Sequence, residues 1–134
     1  MRRPDTDALA SAARIGHDLA EGGQPSRADL AAAVRATLAQ LAVVHPGKLV
    51  EVRVPPFAAV QIGVPGQASA HTRGTPPNVV ETDAATWLSL VTGHLAWADA
   101  VASHRVSASG VHADITTQLA PVVAEFRGDG SPGR

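Results

Sequence analysis

The chain contains no cysteine. Disulfides, thiolate nucleophiles and thiolate metal ligands are therefore excluded. Tyrosine is also missing, and the aromatics come down to Phe57, Phe126, Trp87 and Trp97, too few for the stacking platforms that hold single-stranded nucleic acid. Neither sign of charge is in excess: 11 Lys and Arg stand against 12 Asp and Glu, which leaves no electrostatic footprint for DNA, RNA or an anionic membrane. No apolar run approaches the ~20 residues that span a bilayer. Arg2 and Arg3 have no hydrophobic stretch behind them, so no secretory signal is read there and the expected location is the cytoplasm. Chemical motifs are scarce too. There is no Walker A loop and no Gly-x-Gly-x-x-Gly fingerprint, no Gly-x-Ser-x-Gly elbow around Ser107 or Ser109, and no HExxH spacing among the histidines. Neither catalysis nor a cofactor nor a bound metal is expected.

What is present is a single-domain length, 134 residues, and a clear succession of periods. Leu9, Ala12, Ala13, Gly16, Leu19 and Ala20 recur at helical spacing between Asp7 and Glu21, where Gly22-Gly23 stops the helix. Ser26 reads as the cap of a second helix, with Asp29 three residues on. Leu30, Val34, Leu38 and Leu41 form its apolar stripe, flanked by Ala33, Thr37 and Ala42, and His45-Pro46-Gly47 ends it. The period then becomes two. Val50, Val52 and Val54 alternate with Glu51 and Arg53, a half-buried strand broken by Pro55-Pro56. Ala58, Val60, Ile62 and Val64 form the next strand. The segment from His71 to Asn78 begins as a strand and ends as a loop. Val79 to Thr82 is extended, Asp83 is placed to cap a helix, and Gly93 closes it. A short helix, Trp97 to Ser103, leads into the strand Arg105–Ser109. Asp114 begins a last helix through Ile115, Leu119, Val122 and Val123, with Pro121 inside it.

Helices segregated from consecutive strands predict an α+β sandwich. The run from Pro76 to Gly110, built around Leu88-x-x-x-x-Gly93-x-Leu95-x-Trp97-Ala98-Asp99-Ala100, resembles the C-terminal half of sterol carrier protein type 2 domains, most of all their small actinobacterial orthologues. The resemblance extends from about Leu30 to Leu119. It implies a mostly antiparallel sheet of about five strands, covered on one face by helices. Residues 26–127 would form that domain, behind an N-terminal helical extension (1–25) and ahead of a disordered tail (128–134). It also implies a non-enzymatic carrier that holds a fatty acid, an acyl-CoA or another lipid-like molecule in an apolar tunnel between helices and sheet. The tunnel walls would come from Leu38, Val60, Ile62, Trp87, Leu88, Val91 and Leu119. Two positions depart from the family pattern. His104 stands where a glycine is usual before the Arg-Val strand, a residue type that tolerates a left-handed turn. Ala96 stands where a Thr or Ser usually caps the short helix.

His71, Arg73 and Asn78 are the candidate polar mouth. A guanidinium there would clamp a carboxylate or phosphate in a forked hydrogen bond; the alternative is a surface ion pair between Arg73 and Glu81 or Asp83. Ser107 and Ser109 belong on a solvent face. A second reading makes the domain an accessory or protein-interaction module with a filled core, similar to the domain fused behind mycothiol-dependent maleylpyruvate isomerases, and a homodimer or an enzyme partner stays open with it. A lined volume beside Trp87 favours the carrier. A close-packed interior, with an apolar patch at Phe57 or Trp97, favours the module.

Overall fold

A computed structural model describes residues 5–68 and 77–126. Helix α1 (Thr6–Ala20) starts on Asp5, whose carboxylate accepts the amides of Asp7 and Ala8. Helix α2 (Arg27–Val44) starts on Ser26, whose hydroxyl accepts the Asp29 amide at 3.1 Å; an acid in the first turn also suits the positive end of the helix dipole. Strands β1 (Val50–Val54) and β2 (Ala58–Ile62) form a hairpin across the Pro55-Pro56 corner. Strand β3 (Asn78–Thr82) runs into α3 (Ala84–Val91), capped by Asp83 on the Thr86 amide at 2.8 Å. Helix α4 (Trp97–Ala102), strand β4 (Val106–Ser109) and helix α5 (Thr116–Phe126) complete the chain. Helix α5 passes through Pro121, which has no amide to bond one turn back.

The sheet order is β2-β1-β3-β4. Both outer ladders are antiparallel, and the central β1–β3 ladder is parallel, with Val50 opposite Asn78 and Arg53 opposite Glu81. The α+β class stands, with one difference in detail: the described residues contain four strands where about five were expected, and the segment expected to open another strand, from His71, lies outside them. The sheet is mostly antiparallel, as expected, and the β1–β3 ladder is its parallel member. Because β2 ends beside the start of β1, with Ile62 opposite Val50, a third strand that begins at that end on the other side of β1 runs parallel to it. The last seven residues, read as a tail, also lie outside the described residues.

Period two decides the faces. Val50, Val52, Val54, Ile62 and Val80 point at the helices and are buried, while Glu51, Arg53 and Glu81 lie on the other face. There Arg53 Nε donates to Glu51 Oε2, and Nη1 sits 4.0 Å from Glu81 Oε1. Ser107 and Ser109 are exposed on the same outer face. Helices α2, α3 and α5 pack on one another over the inner face, and α1 lies across α2 and α3. Gly16 is what lets α1 come so close: a Cβ there would sit 2.2 Å from Thr92 Oγ1.

Candidate functional site

The turn between α3 and α4 shapes one wall of an apolar groove. Gly93 turns the chain at φ 82°, and the amides of His94 and Leu95 both bond to the Ser89 carbonyl. That doubles the chain back, so Leu95 and Trp97 face α5. The opposite wall is α5 itself, through Leu119, Ala120 and Val123. The methyl side chains of Ala120 and Ala124 leave space that larger residues would fill, and the groove holds ≈ 380 Å³, near the low end of the range for small-molecule sites. Trp97 is half-buried beside it. Among the described residues, no ionisable side chain lines it.

Both ends of the groove are set locally. Ala96 caps α4 without any side-chain hydrogen bond, as its identity dictates. At the start of α5, Asp114 Oδ1 accepts the Thr116 hydroxyl at 2.7 Å and the Thr116 amide at 3.0 Å. These two bonds, the hydroxyl first, hold the Asp114 carboxyl below its ordinary pKa against a small opposing effect of burial. Thr116 itself lines the groove.

The residues expected to wall a tunnel are distributed differently. Leu38, Ile62, Trp87, Leu88 and Val91 are each 0% exposed and lie in the continuous hydrophobic core. Trp87 is anchored there: its indole Nε1 donates to Thr37 Oγ1 at 2.8 Å, and that hydroxyl donates to the Ala33 carbonyl at 2.7 Å. Leu119 belongs to the same core and also lines the groove. Val60 lies elsewhere, in a depression of ≈ 570 Å³ between α2 and the β1–β2 hairpin, rimmed by Lys48 and Glu51. Asn78 is 2% exposed. Its Nδ2 donates to the Leu49 carbonyl and its Oδ1 accepts the His112 amide, both at 2.9 Å, so it joins three backbone segments instead of facing a mouth. His71 and Arg73 lie outside the described residues.

Other candidates are committed within the fold. His45 Nε2 bonds to the Gln118 carbonyl at 2.8 Å; a carbonyl only accepts, so that nitrogen carries the proton. Asp83 caps α3, and Arg105 Nε reaches it indirectly through Thr86 Oγ1. His17 and His94 approach each other with ring centroids 6.2 Å apart. Among the described residues, no group of three or more metal-ligating side chains converges.

Sequence reasoning missed Leu95, Ala120 and Val123 as a set and named Trp97 only as a surface patch. One signal was readable. Ala120 and Ala124 stand four apart on α5 beside Leu119 and Val123, so the apolar stripe is wider than core packing requires.

Among the described residues, no helix is long and apolar enough to cross a membrane. A search of curated proteins finds none that matches the chain. A family model described as bacterial SCP ortholog matches residues 26–122, from the cap of α2 into the second turn of α5. The match takes in every strand among the described residues, the α3–α4 turn and the first half of α5, and the chain belongs to this family of bacterial sterol carrier protein orthologues.

Proposed function

We propose that the protein is a non-enzymatic carrier that takes up the hydrocarbon part of a lipid-like molecule in the groove between the α3–α4 turn and α5. The observation that carries this reading is the groove's lining, mostly apolar and, among the described residues, free of ionisable side chains, in a chain of carrier-type family. Burial of alkyl surface supplies about 25 cal/mol per Å², and lost translational and rotational freedom offsets several kcal/mol of that. An open groove of this size therefore suits micromolar binding and fast release, as capture and transfer require.

The test uses contact quenching by a brominated acyl ester. In Trp87→Phe the remaining Trp97 fluorescence falls saturably; in Trp97→Phe the remaining Trp87 fluorescence is untouched, since Trp87 is sealed in the core. The reverse pattern moves the ligand to a tunnel beside Trp87. No quenching in either variant overturns the carrier reading.

One observation favours the second reading, an accessory module: the sealed core around Trp87. In that case the groove receives an apolar side chain of a protein partner, and the bromolipid finds no site.

A further inference from the structure

We infer that α1 braces the α3–α4 turn and so sets the wall that the groove presents to its occupant, with Thr92 and His94 as the positioning residues between them. The family match begins at Ser26, so the brace comes from the part of this chain ahead of it. Among the described residues that line the groove, none belongs to α1. The link between the two is the segment from Leu90 to Leu95. Leu90, Gly93 and Leu95 line the groove. Thr92 and His94, which alternate with them, meet α1. One short stretch of backbone therefore carries both the groove wall and the α1 contacts.

Those contacts are close and connected. Gly16 packs directly on the buried Thr92 side chain, with no room for a methyl between them. One residue on, the His17 ring faces that of His94 with centroids 6.2 Å apart and planes tilted by 56°, within the range of interacting ring pairs. Thr92 and His94 are themselves joined. The Thr92 hydroxyl gives its one proton to the Leu88 carbonyl at 2.6 Å, so His94 Nδ1, 3.0 Å away, is the donor to it. The His94 and Leu95 amides both bond to the Ser89 carbonyl. A displacement of α1 is passed through Thr92 and His94 to Gly93 and Leu95, with α3 as the fixed reference. The rest of the anchorage is slight. Of the 15 residues of α1, only Ala12, Ile15 and Gly16 are buried, so undocking exposes little apolar surface and belongs to the low-energy openings of the fold.

Docked and undocked α1 differ in the wall they offer, and linkage makes the effect reciprocal: whatever docking adds to ligand affinity, the ligand adds to docking. The inference rests on the carrier reading for its ligand, whereas the wall itself is read without one. In the Trp87→Phe protein, Trp97 at the groove is the sole tryptophan. Adding Gly16→Ala is expected to weaken saturable quenching by the brominated ester about fivefold, the low end of couplings between sites. It is also expected to raise quenching of Trp97 by acrylamide with no ester present. Adding His17→Ala, at an exposed position that leaves the core intact, is expected to weaken ester binding about twofold, as suits an exposed ring contact. Conversely, saturating ester is expected to slow exchange of the α1 amides by about fivefold, with no further slowing as ester is added. A helix that merely stabilises the fold lowers the urea midpoint in both variants and leaves ester affinity, acrylamide quenching and α1 exchange where they were. That result overturns the inference and leaves the carrier reading intact. No quenching by the ester in either tryptophan protein overturns the carrier reading. The acrylamide comparison then decides the brace by itself: Trp97 quenched equally with and without Gly16→Ala overturns it too.

Discussion

Trp87 is the largest side chain fully closed from solvent, and its indole N–H is satisfied by one hydroxyl, that of Thr37. Thr37→Val keeps the volume and removes the acceptor. It strands a buried donor and is expected to lower stability by about 1–3 kcal/mol in urea unfolding, whereas Thr37→Ser retains most of it. His104 is the other residue whose backbone decides its effect. It sits at φ 61°, the left-handed region, and is the one non-glycine at positive φ among the described residues. Departure from the family's glycine is therefore tolerated at some cost. His104→Gly should stabilise the protein by up to about 1 kcal/mol, the relief of the Cβ strain less glycine's extra unfolded freedom. His104→Val should destabilise it; equal midpoints for all three proteins would refute the argument. The left-handed turn was readable from the resemblance. The Trp87–Thr37 bond was not, because a threonine beside an apolar stripe reads equally well as packing or as solvent face.

At the scale of elements, α1 depends on one close approach. Alanine is worth about 1 kcal/mol over glycine within a helix, but a Cβ at Gly16 would collide with Thr92. Thr92 cannot swing away, since its hydroxyl is bonded both to the Leu88 carbonyl and to His94. Overpacking of this kind costs about 1–3 kcal/mol. Gly16→Ala is therefore expected to be destabilising on balance, with α1 amides exchanging faster than those of α2 and α3. The start of α5 carries a pH signature. The folded-state pKa of Asp114 is depressed by its bonds to Thr116. Its contribution is thus complete above the unfolded value of about 3.9 and is lost as pH falls through the lower folded value. The urea midpoint of the wild type relative to Asp114→Asn should stay level at neutral pH and fall in the acid range. A difference that instead opened between pH 6 and 8 would point to a different group.

For the whole molecule, the layout of helices and strands was legible because its signals are local. Ser26 and Asp83 cap helices, alternating valines mark β1, and glycines stop α1 and α3. Two things were not legible, for the same reason. Alternation at period two is identical in parallel and antiparallel ladders, so Val50–Val54 did not reveal that β1 runs alongside β3. An apolar side chain at helical spacing does not reveal whether it meets a neighbour or a gap. Leu38, Trp87 and Leu88 fill the core, while Leu95, Trp97 and Ala120 border the groove. That distinction depends on how the α3–α4 turn meets α5, which is tertiary.

The parallel ladder at the centre of the sheet has a kinetic consequence. The β1–β2 hairpin joins neighbours in sequence, but β3 reaches β1 only after the chain has passed through β2 and the connection behind it, and β4 reaches β3 only after α3 and α4. Two of the three ladders are therefore non-local, and loop-closure entropy is spent before their hydrogen bonds form. The hairpin with α2 behind it is the natural early assembly, and sheet completion the slow step. Asn78, bonded at once to Leu49 and to the His112 amide, is made whole only when both late arrivals are in place, so its amide reports the end of folding.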